Sequence, residues 1–193
     1  MEREISLRKR VAVVTGGSRG IGKAVAAALL RDGAWVAIAA RSAEELESAA
    51  RELEGTGRVI AVRTDVSNRN EIDVLMRKAA RTLGSIDILV NAAAVQEPVG
   101  EFVEADFDAW VKNVQICLFG TAYCCKAVLP RMIERKRGKI VNFSGGGATG
   151  PRPNFSAYAV SKTGIVRFTE TLAEDVRHFG IQVNGVSPGM IKT

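Results

Sequence analysis

Tyr158 and Lys162 stand four residues apart in the run Tyr-Ala-Val-Ser-Lys. Residues i and i+4 share one face of a helix, so the ammonium group can lie beside the phenol. A free phenol has a pKa of about 10 and is a poor proton carrier at neutral pH. A neighbouring cation favours phenolate and lowers that value. Tyr158 is then suited to give a proton to a carbonyl oxygen, or to take one back from an alcohol. Alone, such a pair is as readily a surface helix pair, so its meaning depends on what surrounds it.

A second candidate lies near the start of the chain. Thr15-Gly16-Gly17-Ser18-Arg19-Gly20-Ile21-Gly22 follows an apolar run and opens a helical segment. Glycines there let the backbone turn sharply and let a pyrophosphate approach the helix N-terminus, where free N–H groups and the helix dipole attract anions. The spacing is G-x-x-x-G-x-G, distinct from the G-x-G-x-x-G of many dinucleotide sites. The second apolar run ends in Ala39-Ala40-Arg41-Ser42, with no acid before Glu44. An NAD site usually places a carboxylate at that point to hold the adenosine ribose. Arg41, with Ser18 and Arg19, suits a ribose 2′-phosphate instead, so NADP is expected over NAD. The plainer reading is that both arginines are merely exposed. Asp65 can accept from the adenine amino group or cap the next helix, and the residues leave both open. With an oxidised nicotinamide nearby, a second positive charge would favour the Tyr158 phenolate.

These groups need a scaffold, and the apolar pattern supplies one. Strands are expected over 11–15, 35–40, 59–63, 86–90, 140–143 and 182–186. Helices are expected over about 20–32, 43–53, 69–83, 106–134 and 156–178. Gly33, Gly84, Gly138 and Gly180 each sit just past a helix, where a left-handed cap favours glycine. Alternating strands and helices with near-continuous apolar strands imply an α/β fold, a doubly wound, Rossmann-type parallel sheet covered on both faces. Ligands then bind at the carboxyl ends of the strands. Without linkers or repeats, residues 1–193 read as one domain.

In this order and spacing the motifs form a set. The chain resembles the single-domain short-chain dehydrogenases/reductases, from about Lys9 to the last residue. TGGSRGIG is similar to that family's cofactor turn, Asn91-Ala92-Ala93-Ala94 to the segment after its fourth strand, and Val183-Asn184-Gly-Val-Ser-Pro188-Gly189 to the loop after its sixth. The resemblance implies that Asp65 and Val66 meet the adenine and that Asn91, Ala92 and Ala93 line the cofactor. It also implies that Lys162 holds the nicotinamide ribose and that Pro188, Gly189, Ile191 and Thr193 lie at the nicotinamide. The activity it implies is an NADP(H)-dependent interconversion of a ketone and a secondary alcohol on a small-molecule substrate, in a homodimer or homotetramer built through the two long helices.

Three departures stand against that pattern. The family's serine, thirteen residues before the tyrosine, is replaced by Gly145, and Ser144 precedes it. A one-residue bulge is expected to bring Ser144 into place as holder of the substrate oxygen; otherwise Ser144 is structural and Tyr158 acts alone. The family's asparagine on the long middle helix falls at Cys117, whose thiol hydrogen-bonds weakly and impairs a proton relay. Asn113, one turn earlier on the same face, is a partial substitute or a surface or packing residue. Finally, family members usually continue past Pro188-Gly189 with substrate-covering helices and a last strand, which are expected to be missing here. These departures keep a second reading open: a cofactor-binding, catalytically weak protein with a sensing or assembly role.

Composition narrows the classes further. The net charge is +6, but the basic runs Arg8-Lys9-Arg10 and Arg135-Lys136-Arg137 carry no interleaved aromatics. Nucleic acid is therefore not an expected partner. No apolar run approaches the roughly 20 residues that span a bilayer, and MEREISLRKR lacks a signal peptide's apolar stretch, so no membrane and a cytoplasmic location are expected. Cys117, Cys124 and Cys125 show no metal-ligand spacing, and buried, reduced thiols with no metal are expected.

Overall fold

The computed structural model describes residues 6–189 and 191. Six strands form one parallel sheet: β1 (Val11–Thr15), β2 (Trp35–Ala40), β3 (Val59–Arg63), β4 (Ile86–Asn91), β5 (Gly138–Phe143) and β6 (Ile181–Val186). Their order is β3-β2-β1-β4-β5-β6. The chain moves outward from β1 in one direction, returns, and moves outward in the other, which makes the expected doubly wound α/β fold. The switch point lies between β1 and β4, where such sheets take their ligands.

Every position of β1 and β4 is buried, as expected for strands covered on both faces. Val11 and Val13 face a core shared with α3 (Arg69–Leu83), α5 (Gly120–Glu134) and α6 (Ser156–Val176). Ala12 and Val14 face a second core under α1 (Gly20–Arg31) and α2 (Ala43–Glu54). Side chains alternate faces along a strand, so five residues serve both layers.

Two boundaries differ from expectation. Gly33, Gly84 and Gly180 do have positive φ, but Gly138 does not; Lys136 is the residue with φ 49° after α5. Gly138 instead opens β5, and a Cβ there would lie 2.3 Å from the Met132 sulfur. It is glycine because α5 packs on it, a reason that no local pattern displays. The long middle helix is also not uniform. It runs as α4 (Phe107–Val114), a π-helical turn at Gln115–Phe119, and then α5. By length and composition Phe107–Glu134 is long and apolar enough to cross a bilayer, contrary to expectation, yet half of its most apolar window is buried inside the protein. That is the pattern of a core helix.

Candidate active site

All six strands point their carboxyl ends to one edge, and the expected site residues collect there. The turn after β1 is held by close packing. Gly16 has φ +67°, and a Cβ on it would meet the Ala92 and Ala93 backbone at 2.8 Å. A Cβ on Gly22 would lie 2.1 Å from the Gly16 carbonyl oxygen, so α1 starts directly against the turn. The Ala93 N–H donates to the Thr15 hydroxyl at 3.3 Å, which ties the β4 end to the β1 end. Gly16, Ala92 and Ala93 are thus one packed unit.

The start of α1 has no side-chain cap: Arg19 occupies the N-cap without a capping bond, and the first turn holds no acid. Gly20 and Ile21 therefore present uncapped helix N–H groups beside a glycine cradle that has no room for side chains. A pyrophosphate fits both features.

At the adenosine end the charges are arranged less simply. Ser42 caps α2 by accepting from the Glu45 N–H at 3.3 Å. The Glu45 carboxylate reaches back to the turn, accepting from the Ser18 hydroxyl at 3.3 Å and pairing with Arg19 at 3.7 Å. Ser18 and Arg19 do converge, as expected, but around an acid of the protein itself. The pattern Ser-x-x-Glu at 42–45 was the signal that could have found Glu45. Arg41 is exposed at the end of β2 and has no carboxylate partner among the described residues.

Asp65 follows β3 and is not the cap of α3; Asn68 is, accepting from the Asn70 N–H at 3.0 Å. Asp65 instead accepts from the Ser67 N–H at 2.8 Å and the Ser67 hydroxyl at 2.7 Å, with Lys112 at 3.9 Å. Burial works to raise its pKa, but the Ser67 bonds and the charges of Lys112 and Arg41 outweigh it and hold the carboxyl below its ordinary 3.8. It is an ionised acceptor near Arg41. Val66 is buried, its side chain and carbonyl oxygen both packed where a Cβ on Gly120 would go. Asn91 likewise turns inward: its amide donates to Asn142 at 2.9 Å, and Asn142 donates to Thr169 at 2.9 Å. Any contact of Asn91 with a ligand belongs to its backbone. Pro188, Gly189 and Ile191 follow β6 at the same edge, with Ile191 exposed; Thr193 lies outside the described residues.

Tyr158 and Lys162 lie on the buried face of α6, 9% and 3% exposed. α4 pins this part of α6. The Trp110 indole donates to Ser156 at 3.0 Å, and the Ser161 hydroxyl donates to Asn113 at 3.0 Å. The Asn113 amide in turn donates to the Val95 and Glu97 carbonyls at 3.1 and 2.8 Å. Fully buried, Asn113 joins α4, α6 and the loop after β4, a structural role larger than sequence suggested.

The expectation about serine is corrected, and the charges around the phenol are as follows. Lys162 donates to the Phe143 carbonyl at 2.8 Å, and its nitrogen lies 5.4 Å from the Tyr158 ring centroid. Burial raises the Tyr158 pKa above its ordinary 10.0; ionised Cys117 would add to this, and Arg152 is the cation that opposes it. Burial also pushes Lys162 below its ordinary 10.5. The phenol is therefore held protonated at neutral pH. The expected bulge at Ser144 is also absent. β5 and β6 stay in register to Phe143–Val186, and the Ser144 N–H still donates to the Val186 carbonyl at 2.9 Å. The Ser144 hydroxyl is buried and donates to the Lys162 carbonyl at 3.2 Å, so its one proton is committed to α6. The position facing the phenol belongs to Gly145, where a Cβ would lie 2.6 Å from the Tyr158 hydroxyl.

Cys117 sits in the π-helical turn, fully buried, accepting from the Val95 N–H and donating to the Val95 carbonyl, both at 3.4 Å. Burial raises its pKa, so it remains a neutral thiol at neutral pH. With both its bonds made to one residue it offers no onward path for a proton. All three cysteines are buried and unpaired, and burial pushes Cys125 up to about 12.

Comparison with known proteins agrees with this architecture. The family model described as short chain dehydrogenase matches residues 10–193. An uncharacterized oxidoreductase of Staphylococcus aureus strain USA300 is 33% identical over 187 residues, 97% of this chain and 80% of that protein. Dehydrogenase/reductase SDR family member 4 of Pongo abelii is 37% identical over 194 residues, 100% of this chain and 70% of its own. Among solved structures, an NAD+-bound xylitol dehydrogenase superposes with a TM-score of 0.94 at 29% identity, covering 98% of this chain and 73% of its own. A short-chain type dehydrogenase/reductase from Mycobacterium ulcerans gives 0.94 at 30% identity, covering 98% and 70%. With the glycine cradle at the switch point and Tyr158 and Lys162 on one buried helix face, this chain belongs to the short-chain dehydrogenase/reductase family, oxidoreductases that use a nicotinamide cofactor.

Proposed function

We propose that the protein interconverts a ketone and a secondary alcohol with NADP(H). The observation that carries this is the buried Tyr158, on a helix pinned by α4 at the carboxyl edge of the sheet, with its hydroxyl packed against Gly145. A nicotinamide held there would supply or accept the hydride at the substrate carbon. Tyr158 gives its phenolic proton to the carbonyl oxygen, so C=O becomes C–OH, and takes that proton back in the reverse direction. Burial favours the protonated acid that reduction needs. Gly16, Gly20, Ile21 and Gly22 would hold the pyrophosphate, Asp65 and the Val66 backbone the adenine, and Lys162 the nicotinamide ribose. Arg41 is the cation open to a 2′-phosphate, with Arg19 and Ser18 joining it by exchanging Glu45 for the phosphate.

The second reading, a cofactor binder with weak turnover, is supported by the missing hydroxyl at Gly145 and by Cys117, which is fully occupied by Val95. Calorimetric titration with NADPH and then NADH tests the cofactor assignment. NADPH is expected to bind tighter, and Arg41→Ala to weaken NADPH by about tenfold or more with a smaller change for NADH. Equal losses would refute the phosphate assignment. Self-association through α4, α5 and α6 is part of the proposal, because Phe107, Phe119 and Val160 leave apolar surface exposed there.

A further inference from the structure

The loop from β5 to α6 carries Gly145-Gly146-Gly147 and then Arg152. Arg152 is half-buried, with the centre of its guanidinium 3.8 Å from the Phe155 ring centroid and 5.2 Å from that of Tyr158. One of its terminal nitrogens lies 3.6 Å from where a Cβ on Gly146 would be. Cation–π contact with two rings holds the group in place. No carboxylate pairs with it among the described residues; its polar partner is the Tyr158 side chain, to which it hydrogen-bonds. A Cβ at 145 would lie 2.6 Å from the Tyr158 oxygen, so the phenol hydroxyl packs directly against the glycine, on the loop that carries Arg152.

A carbonyl oxygen that reaches the Tyr158 hydroxyl brings its own neighbouring carbons close to Arg152, whose guanidinium stands 5.2 Å from the Tyr158 ring centroid. Guanidinium binds a planar carboxylate through two parallel N–H bonds, and a single cation balances a single negative charge. We propose that Arg152 is the specificity-determining residue of this site, and that the substrate is an oxo acid or hydroxy acid whose carboxylate sits on, or one carbon from, the reacting carbon. This rests on the reading of Tyr158 as the acid/base and names the substrate class for that same site.

The test masks the charge and keeps the carbonyl. Rates are measured for pyruvate against methyl pyruvate and for acetoacetate against methyl acetoacetate, with wild type, Arg152→Lys and Arg152→Ala. Wild type is expected to prefer the acids. In Arg152→Ala that acid-over-ester preference in kcat/KM falls by at least about tenfold, with Lys recovering part of it. A second readout needs no turnover: calorimetric binding of both acids to cofactor-saturated Tyr158→Phe protein, with and without Arg152→Ala. Binding of either acid that is lost with Arg152 supports the inference even where no acid or ester is turned over, and only the oxidoreductase reading then fails. Ester turnover without acid preference overturns the inference and leaves that reading standing. An acid preference that Arg152→Ala leaves unchanged also overturns it, as does the absence of Arg152-dependent acid binding.

Discussion

At the amino edge of the sheet, Asp87 on β4 accepts from the Val11 N–H at 3.1 Å and pairs with Arg137, Arg135 and Arg10 at 2.8, 3.2 and 3.7 Å. Arg135 also donates to the Ile86 carbonyl. At the carboxyl edge, Arg41 and Arg152 have no carboxylate partner among the described residues, and Lys162 is met by a backbone carbonyl. Both edges are basic, but at the amino edge three arginines share one buried carboxylate. Where arginines converge on a buried acid, they tie strand β1, strand β4 and the α5–β5 turn together, which is structure. Arg41 and Arg152, near glycines and a phenol, share no such buried acid; in the proposed function a ligand supplies the anion. The two basic runs, which sequence alone set aside as a nucleic-acid surface, serve in part to hold the amino edge.

The sharpest way to test this contrast is to remove the proton carrier at the open edge. Tyr158→Phe is expected to lower kcat by about 10²–10⁴-fold while cofactor affinity stays nearly the same, read by steady-state kinetics beside calorimetry. Unchanged turnover would sink the mechanism. Gly145→Ala places a methyl group against the phenol oxygen and is expected to cost about 10- to 100-fold in kcat through misplacement, with little loss of thermal stability.

The amino edge should behave in the opposite way. Asp87→Ala leaves the buried Val11 N–H without its acceptor and three guanidinium groups without their shared anion. A loss of about 1–3 kcal/mol in denaturant unfolding is expected, with kcat per folded molecule and cofactor affinity unchanged. A fall in kcat at constant stability would erase the distinction between the edges.

The smallest effect is spectroscopic. The chain has two tyrosines, Tyr123 and Tyr158, so ultraviolet titration with Tyr158→Phe as reference isolates one phenol. Burial, then Cys117, raise the Tyr158 value, and it should ionise above 10.0. Arg152→Ala removes the opposing charge and should move it higher still. The sign for folding follows: a raised phenol stabilises the folded state below pH 10.0, and that contribution is lost as pH rises through the folded value. A Tyr158 phase at or below 10.0 would show that burial does not dominate.

Much of the scaffold could be read from consecutive residues. Strand and helix periods, turn glycines and the placing of TGGSRGIG, Arg41 and Tyr158-x-x-x-Lys162 are local features, since side-chain direction and turn chemistry are set within a few residues. Those features located the six strands to within two residues and brought the site residues to one edge. The site's finer assignments were not legible in the same way. Ser144 was expected to face the substrate, but the unbroken β5–β6 register turns its hydroxyl to α6 and leaves Gly145 at the phenol.

What the sequence by itself determined is therefore the parallel α/β architecture and the family, because both rest on periodicity and on motifs in order. What only the tertiary structure decided is which groups are already paired. Glu45 takes Ser18 from 27 residues away, Asn113 takes Ser161 from 48, and Asp87 takes the Val11 N–H from 76. Such pairings depend on how strands and helices pack side by side. No stretch of chain encodes them, and they separate the arginines that hold the amino edge from Arg41 and Arg152 at the carboxyl edge, which have no carboxylate partner among the described residues.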